Sequence, residues 1–322
     1  MEKYTICSFT GQSVEKYAKR PALAFVGEEF INYQELGEKL LQTISFLKSK
    51  GIKKGDKVLL LAENMPNWGV VYLSIVCYGA VVVPVLPDFH TDEVMSILEH
   101  SGSNMVFVSE KQHQRLSKFL SKTELPVVII DELEKATGDG SISEHSISFD
   151  ELDRNVNEDD LAAIIYTSGT TGSSKGVMLS HKNISWTVAQ SATIQEINEN
   201  DRFLSILPMS HTYENSLGFL LPLMFGASIY YIHGLPTPTV LMAALKKVRP
   251  SLLLTVPMII EKIYRKQVIP TFNKSTITRK LFAFAPSRKV LNRLAGKKLM
   301  KVFGGNLKFF GIGGAKLDPV IE

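Results

Sequence analysis

Cysteine is nearly absent from this chain. Its two, Cys7 and Cys77, are too few and too far apart for a disulfide framework, and they carry no metal-ligand spacing. A reducing compartment and a cytoplasmic location are the default expectations, and no side chain is assigned to a metal. An apolar leader is lacking too. MEKYTICSFTG mixes Glu2 and Lys3 with polar residues, so no secretion signal is read. A net charge of only +4 gives no bulk argument for nucleic acid. There is no internal repeat and no low-complexity tract, and an apolar share of 45% excludes wholesale disorder. What remains is a globular protein whose 322 residues suit two packed units or one large α/β domain.

One long apolar run is present. Residues 68–87, WGVVYLSIVCYGAVVVPVLP, hold no charge over a stretch as long as a membrane span. Gly69, Gly79, Pro84 and Pro87 interrupt it, and its texture changes at Gly79. The residues before that glycine predict a buried helix starting near Pro66, a favoured first helical residue. The β-branched AVVVPVL after it predicts a short buried strand of a parallel sheet.

The same alternation continues over residues 57–131. KVLLLAE, AVVVPVL, NMVFVS and PVVIID read as strands. Helices are expected between them, over 66–78, from a Thr91 cap through Asp92 and Glu93 to His100, and over 111–120. Residues 137–160 are polar and read as a surface connection. LAAIIYT is then another buried strand. DRFLSILP, ASIYYI and SLLLTVP follow as strands, with helices over 238–248 and 258–264. Strand and helix in turn predict an α/β fold with parallel sheets covered on both faces, and ligands beyond the carboxyl ends of the strands.

LAAIIYT runs directly into YTSGTTGSSKGVMLSH, residues 166–181. Glycines let successive backbone N–H groups turn toward one anion, hydroxyls add short donors, and Lys175 brings a mobile positive charge. A strand feeding such a loop suits a polyphosphate. The P-loop pattern does not fit. Ser174 stands where its second glycine should be, and Gly176 follows the lysine instead of Ser or Thr. Residues 176–180 alternate like a strand, with Asn183 as the expected start of the next helix.

This stretch resembles the signature loop of the adenylate-forming (AMP-binding) superfamily. Further pieces similar to that family fall in its order: INYQEL (31–36), YGAVVVPVLP (78–87), LPMSHTYE (207–214) and FFGIGGAKLDP (309–319). PSLLLTVPMIIEKIYRK (250–266) and the basic stretch after it resemble long-chain fatty acid–CoA ligases in particular. The resemblance implies two packed doubly wound sheets, divided as 57–221 (carrying the phosphate loop) and 1–56 plus 222–322. It also implies ATP-dependent conversion of a fatty acid to an acyl-adenylate, then transfer to coenzyme A, with Mg²⁺ required. On this reading Thr167, Ser168, Gly169, Thr170, Thr171, Gly172 and Lys175 hold the β- and γ-phosphates. His211 lies beside the reacting carboxylate and α-phosphate as the catalytic candidate, and with Tyr213 borders the acyl tunnel. Gly313, Gly314 and Ala315 lie against adenine and the head of the acyl chain.

Motifs that the family carries further on do not follow Glu322, so the chain is expected to be an amino-terminal part with little activity alone. From Glu261 to Lys308, Lys or Arg stands at 262, 265, 266, 274, 279, 280, 288, 289, 293, 297, 298, 301 and 308, against that one acid. Two readings stay open for this stretch: a basic amphipathic helix on an anionic membrane surface, or a solvated helix. It lacks interleaved aromatics apart from Phe282 and Phe284, which argues against nucleic acid. Three functional alternatives also stay open: a fatty acyl-AMP ligase serving a carrier protein, a short-chain or aryl acyl-CoA synthetase, and a non-catalytic nucleotide- or lipid-binding scaffold.

Overall fold

The computed structural model describes residues 3–138, 148–167, 175–263 and 300–316, with residues 265, 270, 293, 296 and 297 between them. Twelve strands build two six-stranded sheets. In chain order they are β1 (Pro21–Phe25), β2 (Ile31–Asn32), β3 (Lys57–Leu61), β4 (Val81–Pro84), β5 (Met105–Val108) and β6 (Val127–Ile129). Then come β7 (Leu161–Thr167), β8 (Lys175–Ser180), β9 (Arg202–Ser205), β10 (Ser228–Tyr231), β11 (Leu252–Thr255) and β12 (Phe309–Ile312).

One sheet has the order β6-β5-β3-β4-β7-β8 and the other β12-β11-β9-β10-β1-β2. Both are parallel except at one edge, where β8 runs antiparallel to β7 and β2 antiparallel to β1. The α/β expectation therefore holds, with an antiparallel edge on each sheet. The chain begins in the second sheet, builds the first, and returns. It returns at β9, so Arg202–Ser205 pairs with β10 and β11 in the second sheet. The expected division at residue 221 puts that strand in the first unit. Sheet membership changes near residue 200 instead.

Helix Pro66–Tyr78 matches its expected bounds, and every residue from Trp68 to Cys77 is buried. A helix apolar on all sides needs cover on all sides. Here the sheets and neighbouring helices supply it, and no described helix is long and apolar enough to cross a membrane. Trp68 stacks on Tyr72 at 5.2 Å between ring centroids, and both meet Phe219 edge-on at 5.8 Å. Gly69 is required by the same contact: a Cβ there would lie 2.8 Å from the Phe219 ring. Gly79 closes the helix in the left-handed region at φ +88°, where glycine carries no Cβ penalty.

Several local expectations are corrected by cap geometry. His90, not Thr91, is the N-cap of helix Thr91–Ser101. Helix His181–Ser191 starts two residues before Asn183. Ser180 caps it, and Asn183 Oδ1 accepts from the Ser180 N–H in return. The stretch read as a surface connection contains a helix, Phe149–Asn155, capped by Ser148. The basic stretch 262–308 lies mostly outside the described residues.

Trp68→Ala removes the largest fully buried side chain and leaves a void against Tyr72 and Phe219. A loss of about 3–5 kcal/mol in unfolding free energy is expected, read from the urea midpoint at constant m-value.

Candidate functional site

β7 and β8 form a hairpin whose last ladder pair is Thr167 with Lys175. The Gly/Ser/Thr segment thus leaves and rejoins the sheet at two facing residues, both exposed. Ser168, Gly169, Thr170, Thr171 and Gly172 lie outside the described residues. Close packing fixes the base of the hairpin. A Cβ on Gly176 would lie 2.9 Å from Ile164 and 3.3 Å from the Tyr166 ring, so only glycine lets β8 settle there. Tyr166 in turn bonds its hydroxyl to His100 Nδ1 at 2.7 Å.

His211 sits in the turn that follows β9. Its N–H donates to the Pro208 carbonyl at 2.9 Å, and its own carbonyl accepts from Asn215 N–H at 2.9 Å. The Tyr213 N–H donates to His211 Nδ1 at 3.3 Å. With Nδ1 occupied as an acceptor, the neutral ring carries its proton on Nε2, and the side chain is exposed. A single-donor imidazole is thereby offered to whatever approaches the turn.

Tyr213 reaches across to β12. A Cβ on Gly313 would lie 2.9 Å from the Tyr213 ring, and one on Gly311 would lie 2.8 Å from its hydroxyl. The Gly313 N–H donates to the Thr255 carbonyl at 3.0 Å, and Gly314 turns the chain at φ +83°. Gly314 and Ala315 are exposed. The structure therefore brings His211, Tyr213 and Gly313 together at the end of the second sheet. Thr167 and Lys175 sit at the end of the first.

Sequence reasoning missed the residues behind this turn. Asn64, after β3, accepts from Met209 N–H at 2.9 Å and donates to Leu207 O at 2.6 Å and Ser205 Oγ at 2.9 Å. Ser205 donates to Glu214 Oε1 at 2.6 Å. Glu214 opens a π-helical segment, Glu214–Leu220, a geometry that clusters at functional sites. It is fully buried, and burial, opposed only by the Ser205 bond, pushes its carboxyl up to about 8. A signal was present: Glu214 is the one acid between residues 202 and 248.

Two cavities border the turn. One, of about 300 Å³, lies among Glu63, Asn64, Ser205, Leu207 and Pro208 at the carboxyl ends of strands from both sheets. The other, of about 690 Å³, is lined by Leu179, Ile184, Trp186, Thr212 and Ser216. Among the described residues no three His, Cys, Asp or Glu side chains gather as a metal site.

The AMP-binding enzyme family matches residues 11–322. This chain belongs to that family. It is 27% identical to the peroxisomal long chain acyl-CoA synthetase 7 of Arabidopsis thaliana, over 95% of the chain and 48% of the relative. It is 26% identical to the human long-chain-fatty-acid–CoA ligase ACSBG2, over 92% of the chain and 47% of the relative. The chain thus spans about half the length of these curated relatives. Among solved structures it resembles the ATP-bound RpMatB-BxBclM chimera B1 (TM-score 0.77, 21% identity, 99% of the chain and 56% of that structure). It also resembles the N-terminal domain of FACL13 from Mycobacterium tuberculosis (TM-score 0.76, 21% identity, 98% of the chain and 71% of that structure). These likenesses establish the fold.

Two other histidines of this family member have structural surroundings. His233 stacks on Phe25 and pairs with Glu28 at 2.6 Å. His181 is fully buried at the start of the helix after the hairpin. Its Nδ1 accepts from Ile6 N–H at 3.3 Å, and Nε2 has no partner. Burial lowers its pKa from 6.5 to about 4, with Asp160 opposing. The neutral form is thus favoured by folding, so its contribution is complete above pH 6.5 and is lost as pH falls toward 4. Urea unfolding should show stability dropping across that window, and His181→Gln should flatten the drop.

Proposed function

We propose that this chain supplies the adenylating half of a long-chain fatty acid–CoA ligase. The observation that carries this is the juxtaposition of His211, Tyr213 and Gly313 at the strand ends of an AMP-binding fold. The names of the relatives supply the substrate class. A fatty acid carboxylate oxygen attacks the α-phosphorus of ATP and the bond to pyrophosphate breaks. The acyl-adenylate is then cut by the thiol of coenzyme A with release of AMP.

The obstacle in the first step is electrostatic, since a carboxylate approaches a triphosphate and charge gathers on the α-phosphate. Lys175, held at the end of the β8 ladder, brings positive charge to the β- and γ-phosphates, with Thr167 facing it as a hydroxyl donor. Ser168, Gly169, Thr170, Thr171 and Gly172 complete the anion cradle in this reading. His211 Nε2–H donates to the carboxylate or the α-phosphate oxygen, without needing a charged ring. Gly313, Gly314 and Ala315 leave room for the flat adenine. Mg²⁺ bound with the nucleotide would neutralise phosphate charge. The cavity by Trp186 and Thr212 takes the proximal part of the acyl chain.

A second reading keeps this chemistry and changes the acceptor to an acyl carrier protein. It is favoured by the 28% identity to the chloroplastic long-chain-fatty-acid–[acyl-carrier-protein] ligase AEE15 of Arabidopsis thaliana. Peripheral membrane contact through 262–308 belongs with the lipid substrate.

The test is fatty-acid-dependent ATP–pyrophosphate exchange, run on this chain and on the full-length protein with short to long acids. Exchange rising with chain length is expected in the full-length protein, and His211→Ala should lower it roughly a hundredfold. Loss of exchange in Lys175→Ala, with a raised KM for ATP, is expected as well. Absence of exchange with every acid, despite ATP binding, would overturn the ligase in favour of a scaffold.

A further inference from the structure

We propose that Glu214 is a positioning residue for His211 and Tyr213, locking their turn to both sheets through Ser205 and Asn64. The inference concerns the site assigned above and rests on that reading only for its activity arm. Its basis is one connected chain of hydrogen bonds. Asn64 fixes the entry of the turn by gripping Leu207 O and Met209 N–H. Glu214 fixes the exit, because its carboxyl is held by Ser205 Oγ, which itself accepts from Asn64. His211 lies between these two fixed points, with its N–H on Pro208 O and its Nδ1 under Tyr213 N–H. Moving either end would shift the imidazole relative to the Tyr213 ring on Gly313.

The surroundings suit a protonated carboxyl. Glu214 receives a single donor bond, and Oε2 has no partner in the described structure. Among the described residues no cation is paired with it. On its own helix the coupled titratable group is Tyr213, and on β10 it is Tyr231, the ladder neighbour of Ser205. β9 contributes Ser205, β11 carries only Leu252, Leu253, Leu254 and Thr255, and Leu221–Met224 carries no charge. On helix His181–Ser191, Lys182 pairs with Glu158, and His181 bonds Ile6. Both tyrosines are held neutral by burial, so nothing nearby would balance a carboxylate. Gly218 makes the room, since a Cβ there would lie 2.6–2.8 Å from the carboxyl.

The test uses the full-length protein and two readouts. The first is the imidazole ¹³C/¹⁵N signature of His211, assigned by its loss in His211→Asn, which reports the Nε2–H tautomer. The second is the pH profile of ATP–pyrophosphate exchange. In the wild type the tautomer signature, read where the imidazole is neutral, should hold up to pH about 8 and average out above it, with exchange falling in parallel. Glu214→Gln, which imitates the neutral acid, should keep the signature and remove its alkaline loss. Glu214→Ala and Ser205→Ala should lose it at every pH, and exchange should fall roughly a hundredfold. If Glu214→Ala does not fold, Ser205→Ala and Glu214→Gln decide the matter. An unchanged signature in Ser205→Ala, or the same alkaline loss in Glu214→Gln as in the wild type, would overturn the proposal. Absence of exchange in the wild type would sink the ligase reading alone, because the tautomer signature still reports on positioning.

Discussion

The burial of one uncharged and mostly apolar helix, Pro66–Tyr78, is the constraint on which the rest of the molecule depends. It leaves β3 through Glu63 and Asn64 and presents Trp68 and Tyr72 to Phe219 of the π-helical segment. The first sheet is thereby set against the element that carries Glu214. Hydrophobic burial supplies the drive, yet it is non-directional. Direction comes from the Asn64 hydrogen bonds one turn earlier, which tie the end of β3 to the turn after β9. Apolar packing and polar registration thus act on the same junction.

Much of this was legible in the sequence where the cause is local. LAAIIYT is β7 to the residue, and residues 66–78 and 238–248 are helices with the expected bounds. Those segments carry strong periodicity, or a proline and a glycine at their ends. Helix starts at Thr91 and His181 were off by one or two residues, because a cap is decided by which side chain reaches a backbone N–H. β9 falls outside the expected unit because sheet membership is set by pairing with β10 and β11, which the residues Arg202–Ser205 do not encode by themselves.

The candidate site divides in the same way. Thr167, Lys175, His211, Tyr213 and Gly313 follow from a family resemblance, and the fold sets them at the ends of the two sheets. Glu214 closes the quoted motif LPMSHTYE and is a lone acid in an apolar stretch, but neither fact assigns it a role, and Asn64 and Ser205 give no signal. Their role arises from contacts across some 141 positions of sequence, which no local pattern reports.

Sharing one core between the two sheets has a thermodynamic consequence. Val58, Leu60 and Val82 of the first sheet and Leu23, Ile229 and Tyr231 of the second belong to a single buried cluster around the central helix. The face that each sheet turns toward this helix loses part of its cover if the other sheet melts. The division into two α/β units is therefore one of chain topology, and loss of the shared core is expected to couple the unfolding of the two sheets.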